Sequence, residues 1–410
     1  MIGIRQLVDT PRSVVRGQRI VLPLILAAVF IVSAEARVIS PLLPAIAQEF
    51  ASPLARTGIL LTAYMLPYGL FQLLYGPLAD RFSRQRVMAC ALGLFAFGTF
   101  ASGFAPSLLT LDLLRIVTGA AAAGVSPIAL AYIADAVPYR ERQAALGRAI
   151  SVASLGTVLS AALGGLSASF MSWRVVFIGS GVFSLVIALI LLWLPVSKGN
   201  AAPQRRRGFI APYRELFSTA GRRAVALYGL VFYEGILAFS TLSYLGALVF
   251  ERDHLPYALI GVLYMLNGGA NILAGRLLGR FVRRFGERRM VMAGGCLCVI
   301  AFLLVGLQPV WCFFPLGMLL QGFGFVIAHS TLQTHATELA PEQRGTAVAL
   351  FAFTFLIGGS VGSSLAGFVI EHMGFPTTLL GTAALYTIFT VGAWPLLQWG
   401  RKRSMRSSAK

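Results

Sequence analysis

The chain has 410 residues, of which 57% are hydrophobic and only 12% charged, against roughly 25% charged in a soluble globular protein. That excludes an ordinary soluble enzyme, and the mean hydropathy of +0.78 agrees. The 34 Lys and Arg against 15 Asp and Glu leave a net charge of +19, but most of these bases fall in alternate inter-span segments or the tails, which marks one face of a membrane protein and not a nucleic-acid surface.

Residues 1–19 read as a basic tail carrying Arg5, Arg12, Arg16 and Arg19. The first apolar run, 20–47, passes through Ala34-Glu35-Ala36, superficially a signal-peptide cleavage site, yet it stays apolar through Val38 to Ala47 and is expected to be an uncleaved first crossing. Apolar runs then predict crossings at 56–78, 87–105, 108–134, 144–169 and 174–195. A basic linker over 196–222, with Arg205-Arg206-Arg207, precedes further crossings at 223–249, 257–279, 290–307, 310–337, 346–370 and 377–398. A last basic tail, 399–410, ends the chain. At about 20 apolar residues per crossing, the expected fold is an all-α membrane protein of twelve transmembrane helices in two pseudo-symmetric six-helix bundles, 20–195 and 223–398. An even number of crossings puts both basic tails on one side, the cytoplasm by the positive-inside rule.

The halves are related in sequence. A shift of 199 residues carries Gly76, Arg81 and Arg84 onto Gly275, Arg280 and Arg283, and Glu35 in the first span onto Glu234 in the seventh. Parallel repeats about an axis normal to the membrane are a transporter architecture.

A charge at the bilayer centre costs at least about 2.5–3.5 kcal/mol, so charges retained there are functional candidates. Glu35 and Arg37 in span one, Arg115 in span four and Glu234 in span seven qualify. A carboxylate whose distance from an Arg changes also changes its proton affinity, which makes Glu35, Arg115 and Glu234 the expected proton-coupling set. Glu35 and Arg37 lie roughly 200° apart around a helix and cannot face one cavity together. For solute binding the candidates are Arg37, Tyr64, Tyr68, Tyr228, Phe232, Glu234, Asn267, Asn271 and His329. Packing is the competing role for the Tyr64, Tyr68, Phe71, Tyr75 stripe, and interhelical hydrogen bonding for the two Asn.

Cys90, Cys296, Cys298 and Cys312 lie in or beside apolar stretches. Residues two apart do not share a helix face, so Cys296 and Cys298 make a poor metal clamp. No phosphate-cradling loop or nucleophile–base set is present; no enzyme activity, cofactor or metal is expected.

The loop after span two reads Gly76-Pro77-Leu78-Ala79-Asp80-Arg81-Phe82-Ser83-Arg84-Gln85-Arg86. It resembles the signature loop of the major facilitator superfamily, G-x-L-a-D-r-x-G-r-k/r, with Ser83 where the family has Gly. Leu111 to Gly119 is similar to the family's l-x-x-x-R-x-x-q-G segment, which places Arg115 on its Arg. Gly156 to Gly165 resembles the span-five antiporter motif but lacks its Gly-Pro pair, and Ser40-Pro41-Leu42-Leu43-Pro44 resembles the twelve-span drug:proton antiporter branch.

The resemblance implies a gating latch at Gly76, Asp80, Arg81 and Arg84, repeated at Gly275, Arg280 and Arg283. It also implies a monomeric inner-membrane transporter that exports drugs or small metabolites in exchange for protons by alternating access. The expected partners are protons, a small-molecule substrate and membrane lipid, with no nucleic acid. The alternatives are a specific sugar or organic-acid exporter or importer, with Arg37 or Arg115 holding an anion, and a non-transporting receptor or lipid-handling protein.

Overall fold

The computed structural model describes residues 12–195, 211–307, 311–339 and 343–398. Arg5, the Arg205-Arg206-Arg207 triplet and the 399–410 tail lie outside the described residues, as do the side chains of Arg12, Arg16, Arg19 and Asp80 and the surroundings of Gly76. Among the described residues the regular structure is helical, as an apolar medium that offers backbone groups no partner requires.

The first half comprises α1 (Arg12–Glu49), α2 (Leu54–Arg81), α3 (Arg84–Ser102), α4 (Leu108–Ala122) continued by α5 (Val125–Ala136), α6 (Tyr139–Phe170) and α7 (Trp173–Trp193). The second comprises α9 (Arg222–Phe239) continued by α10 (Leu245–Asp253), α11 (Tyr257–Phe285), α12 (Glu287–Leu307), α13 (Phe314–Leu339) and α14 (Arg344–Gln398); the short α8 (Ala211–Ala220) lies between the halves in sequence. Ten stretches are long and apolar enough to cross a membrane. One of them, Arg344–Trp394, is two crossings joined at Gly374, whose φ of 79° and ψ of 171° interrupt the helix. With the 19-residue α3 the crossings number twelve among the described residues.

Serines start three of these helices: Ser83, Ser107 and Ser172 accept hydrogen bonds from the backbone N–H groups of Arg86, Thr110 and Arg174. Ser83, the departure from the signature loop, is therefore the N-cap of α3. Small residues set the closest approaches within the first half. A side chain at Gly119 would run into the Tyr64 carbonyl of α2, and one at Gly156 into the Phe30 carbonyl of α1.

The structure corrects the register of the internal repeat. Helices α2 and α3 begin at 54 and 84, and α11 and α12 at 257 and 287, so beyond the first span of each half the repeat runs 203 residues apart, not 199. Span seven absorbs the extra four residues in the 3-10 turn Thr241–Tyr244 that breaks α9 from α10. In this register Gly279 and Arg284 take the places of Gly76 and Arg81, and Glu287 that of Arg84. Gly275 and Arg280 lie a turn or more inside α11, and Arg283 belongs to its last turn.

The halves meet along α2 with α14 and α6 with α11. Helix α1 starts and α14 ends at what we term the terminal face; the opposite is the far face. Across the seam, Thr62 donates to the Ser360 carbonyl, Tyr257 donates to Gln48 Oε1 and the Ala258 N–H donates to Ser169 Oγ. The last two lie at the far ends of their helices, and the Thr62–Ser360 bond nearer the middle. Toward the terminal face Ile150 on α6 is 62% exposed and positions 147 on α6 and 275 on α11 have open space around them, while α2 and α14 stay in contact at Gly69 and Leu356.

Tyr244 seals the far face. It is fully buried, its hydroxyl donates to the Ser363 carbonyl, and its ring occupies the space that side chains at Gly58 and Gly367 would need. Gly58→Val is expected to displace Tyr244 and part the far face. Spin labels at Met171 and Met373, exposed there in opposite halves, should then report a longer distance than in the wild type; an unchanged distance would remove Tyr244 as the seal.

Candidate functional site

The first centre is built by α1, α2 and α4. Glu35 and Arg115 are each 1% exposed and form an ion pair between Arg115 Nη1 and Glu35 Oε1. The guanidinium lies over the Tyr64 ring at 4.3 Å and 5.7 Å from that of Phe177 on α7, a cation–π arrangement worth about 2 kcal/mol when desolvated. Glu35 Oε2 and Arg115 Nε have no hydrogen-bond partner among the described residues. The pair is thus held through one carboxylate oxygen and leaves the other as a place for a proton.

The second centre joins the corresponding spans of the other half. Glu234 on α9, also 1% exposed, lies with Oε2 3.2 Å from His329 Nδ1 on α13. The imidazole sits among Phe325, Phe351 and Phe355 at ring distances of 4.9, 5.0 and 4.5 Å. The partner of the carboxylate differs from that of the first centre: a guanidinium there, an imidazole held among phenylalanine rings here.

Arg37 turns away from Glu35, as two residues along a helix require, and lies 4.5 Å from the Phe239 ring across the seam. It lines a narrow cleft with Ser40, Thr157, Ala161, Leu242, Tyr264, Asn267, Gly268 and Asn271. Asn267 donates to the Met318 carbonyl and to Gln321 Oε1, which ties α11 to α13; Asn271 Oδ1 is without a partner among the described residues.

The remaining candidates separate. Tyr68 stays beside Tyr64, with ring centroids 5.8 Å apart, whereas Tyr75 packs at Gly124, where α4 gives way to α5. Tyr228 donates to the Ala347 carbonyl and touches Phe217 of α8, so its polar end is spent inside the second half. Phe232 is half-buried, and its carbonyl abuts Gly358 on α14. In the signature loop Arg84 pairs with Asp135 of α5 at 2.9 Å, within its own half, and Arg81 is exposed. Arg280, inside α11, and Arg283, in its last turn, are both exposed. In span five, Gly156 and Gly164 pack on α1, and Gly165 on Tyr257 and Gly261 of α11, the packing role of a small-residue stripe.

Sequence reasoning passed over the Arg56–Asp112 pair at 2.6 Å between α2 and α4, although Asp112 falls within the span-four segment it singled out. It also passed over Glu49, which accepts from Arg174 and from the Trp173 indole at the far face. Arg174 in turn donates to the Gly103 and Ala105 carbonyls, tying α1, α3 and α7 together there.

Comparison with known proteins agrees with this architecture. The Major Facilitator Superfamily profile matches residues 25–305 and 254–410. A Bacillus subtilis (strain 168) protein described as the uncharacterized MFS-type transporter YceJ is 27% identical over 94% of this chain and 98% of its own length. A Pasteurella multocida (strain Pm70) protein described as a probable sugar efflux transporter is 25% identical over 87% of both chains. Among solved structures, the bacterial homolog to human lysosomal transporter Spinster, inward-facing and unoccupied, superimposes with a TM-score of 0.77 at 17% identity, covering 95% of this chain and 97% of its own.

Proposed function

Because the chain belongs to the major facilitator superfamily, whose members are membrane transporters of small molecules and not enzymes, we propose that it exports a small organic solute, a drug or a metabolite, in exchange for protons. The observation that carries this proposal is the buried Glu35–Arg115 pair with its one free carboxylate oxygen. Ionised, Glu35 holds Arg115 and fixes α1 against α4; protonated, it loses the charge that holds them. Entry of a proton therefore loosens one side of the first half and its departure re-forms the contact, a two-state element of the kind alternating access needs. Glu234 and His329 provide a second titratable pair in the equivalent spans, able to take a further proton or a cationic group.

The exchange is driven by an ion gradient. One proton falling through ~100 mV and about one pH unit releases roughly 3.7 kcal/mol, enough for a gradient of about 500-fold in a neutral solute. In this proposal the basic tails face the cytoplasm, the protein sits in the inner membrane, and residues 20–195 and 223–398 rock about a seam joined by the 196–222 linker. A sugar or organic-acid exporter is the second reading: the Pasteurella relative's description favours the sugar, the Arg37 cleft the acid.

The test is proton movement in everted membrane vesicles challenged with a panel of toxic organic compounds, sugars and carboxylates. Antiport is expected to alkalinise acid-loaded vesicles on addition of a transported compound. Acidification would make the protein a symporter, and no proton movement with any compound that it transports would remove the coupling.

A further inference from the structure

We infer that Arg37 is the anion-binding group of the solute site, and that the exported solute is an organic anion, a carboxylate on an apolar or aromatic body. The inference rests on the solute exchange proposed above and names its substrate class.

The charge count at membrane depth leads to it. Two arginines were candidates to hold an anion, and Arg115 is engaged by Glu35. Among the described residues no carboxylate lies within ion-pair distance of Arg37, whose guanidinium instead faces the Phe239 ring at 4.5 Å. The carbonyl end of α9, which stops at Phe239, offsets part of that charge. A guanidinium carries five donors in a planar fork matched to a carboxylate. A bound anion supplies the charge and the acceptors that the protein leaves out.

The cleft around Arg37 has the remaining parts of such a site. Ser40, one turn later on α1, lines the same cleft with a hydroxyl that can donate to a carboxylate. Span seven is broken beside it: α10 begins at Leu245, and Gly246 packs against the Ser40 carbonyl and the Tyr264 ring. The Gly246 N–H at the start of α10 is taken up by the Tyr264 hydroxyl, so the charge that recognises an anion in this cleft is that of Arg37. Phe239, Leu242 and Ala161 add apolar wall. The cleft is narrow, so it takes the carboxylate head and not the body of the solute.

Position makes the site useful. Arg37, Ser40, Thr157 and Ala161 belong to the first half, and Leu242, Tyr264 and Asn271 to the second. A carboxylate bound between them touches both halves, so its arrival or departure biases how they sit against one another.

The experiment measures binding to the full-length protein in lipid nanodiscs. The probes are acetate, benzoate and phenylacetate, each against its amide, which keeps the shape and loses the charge. At least one carboxylate is expected to bind tenfold or more tightly than its amide. Arg37→Gln should remove that preference, Arg37→Lys should retain part of it, and Phe239→Leu should weaken it. The inference is overturned if no carboxylate outbinds its amide, or if Arg37→Gln, monodisperse and with an unchanged melting temperature, retains the preference.

Glu35→Gln separates this inference from the coupling it rests on. Carboxylate binding kept by that variant, without proton movement in the wild type, overturns the coupling alone. Proton-coupled transport of a carboxylate that is indifferent to Arg37→Gln overturns the anion site alone.

Discussion

Glu35→Gln is expected to abolish solute transport driven by a pH gradient while sparing exchange of labelled for unlabelled solute. The substitution keeps the shape of the side chain and one hydrogen bond to Arg115 but removes the proton site. Solute can still bind and the halves can still rock, so counterflow in proteoliposomes continues at a rate within a few-fold of wild type. Net transport against a gradient falls at least 100-fold, the loss expected when about 3.7 kcal/mol of proton driving force is disconnected. If the variant still concentrates solute in response to a pH gradient, Glu35 is a structural partner of Arg115 and nothing more.

Arg115→Leu is expected to damage the protein itself. Both members of the pair are buried to 1% exposure, so removing the guanidinium leaves a carboxylate without a counter-charge in a low-dielectric interior. Breaking a buried pair in this way costs about 3–5 kcal/mol, a large part of the 5–15 kcal/mol that holds a typical domain together. The cation–π contact with Tyr64 is lost as well. The melting temperature in nanodiscs should fall steeply. The double variant Glu35→Leu/Arg115→Leu should recover most of the loss, because an apolar pair of similar volume has no charge to desolvate; it should remain uncoupled. A double variant as unstable as Arg115→Leu alone would show that the two side chains do not stabilise each other.

Much of this was legible in the sequence because the membrane makes charge costly. Glu35, Arg115 and Glu234 stand out against an apolar background wherever they pack, and the alternation of apolar runs with basic segments gives the twelve crossings. Proximity across the fold was not legible. Glu234 and His329 are 95 residues apart, and nothing local to either says that they meet; both were candidates, but as separate ones.

The repeat shows a different limit. A shift of 199 residues aligns the two acids, yet the 3-10 turn at Thr241–Tyr244 moves everything after it by four, and a break inside an apolar span leaves no trace in hydropathy. Tyr244 was missed for a related reason: it reads as one more aromatic residue in an apolar run, and its role depends on glycines at 58 and 367 brought together from both halves. The Tyr64, Tyr68, Phe71, Tyr75 stripe divides by depth, with Tyr64 under Arg115 and Phe71 exposed.

Infrared difference titration of the protein in lipid, across roughly pH 5 to 8, tests the central claim without knowledge of the solute. The wild type should show a protonated-carboxyl band that grows as pH falls, and the part of it absent from Glu35→Gln is the Glu35 proton site beside Arg115. A band identical in the two proteins would mean that Glu35 keeps one protonation state across this range, and the coupling assigned to it would be wrong.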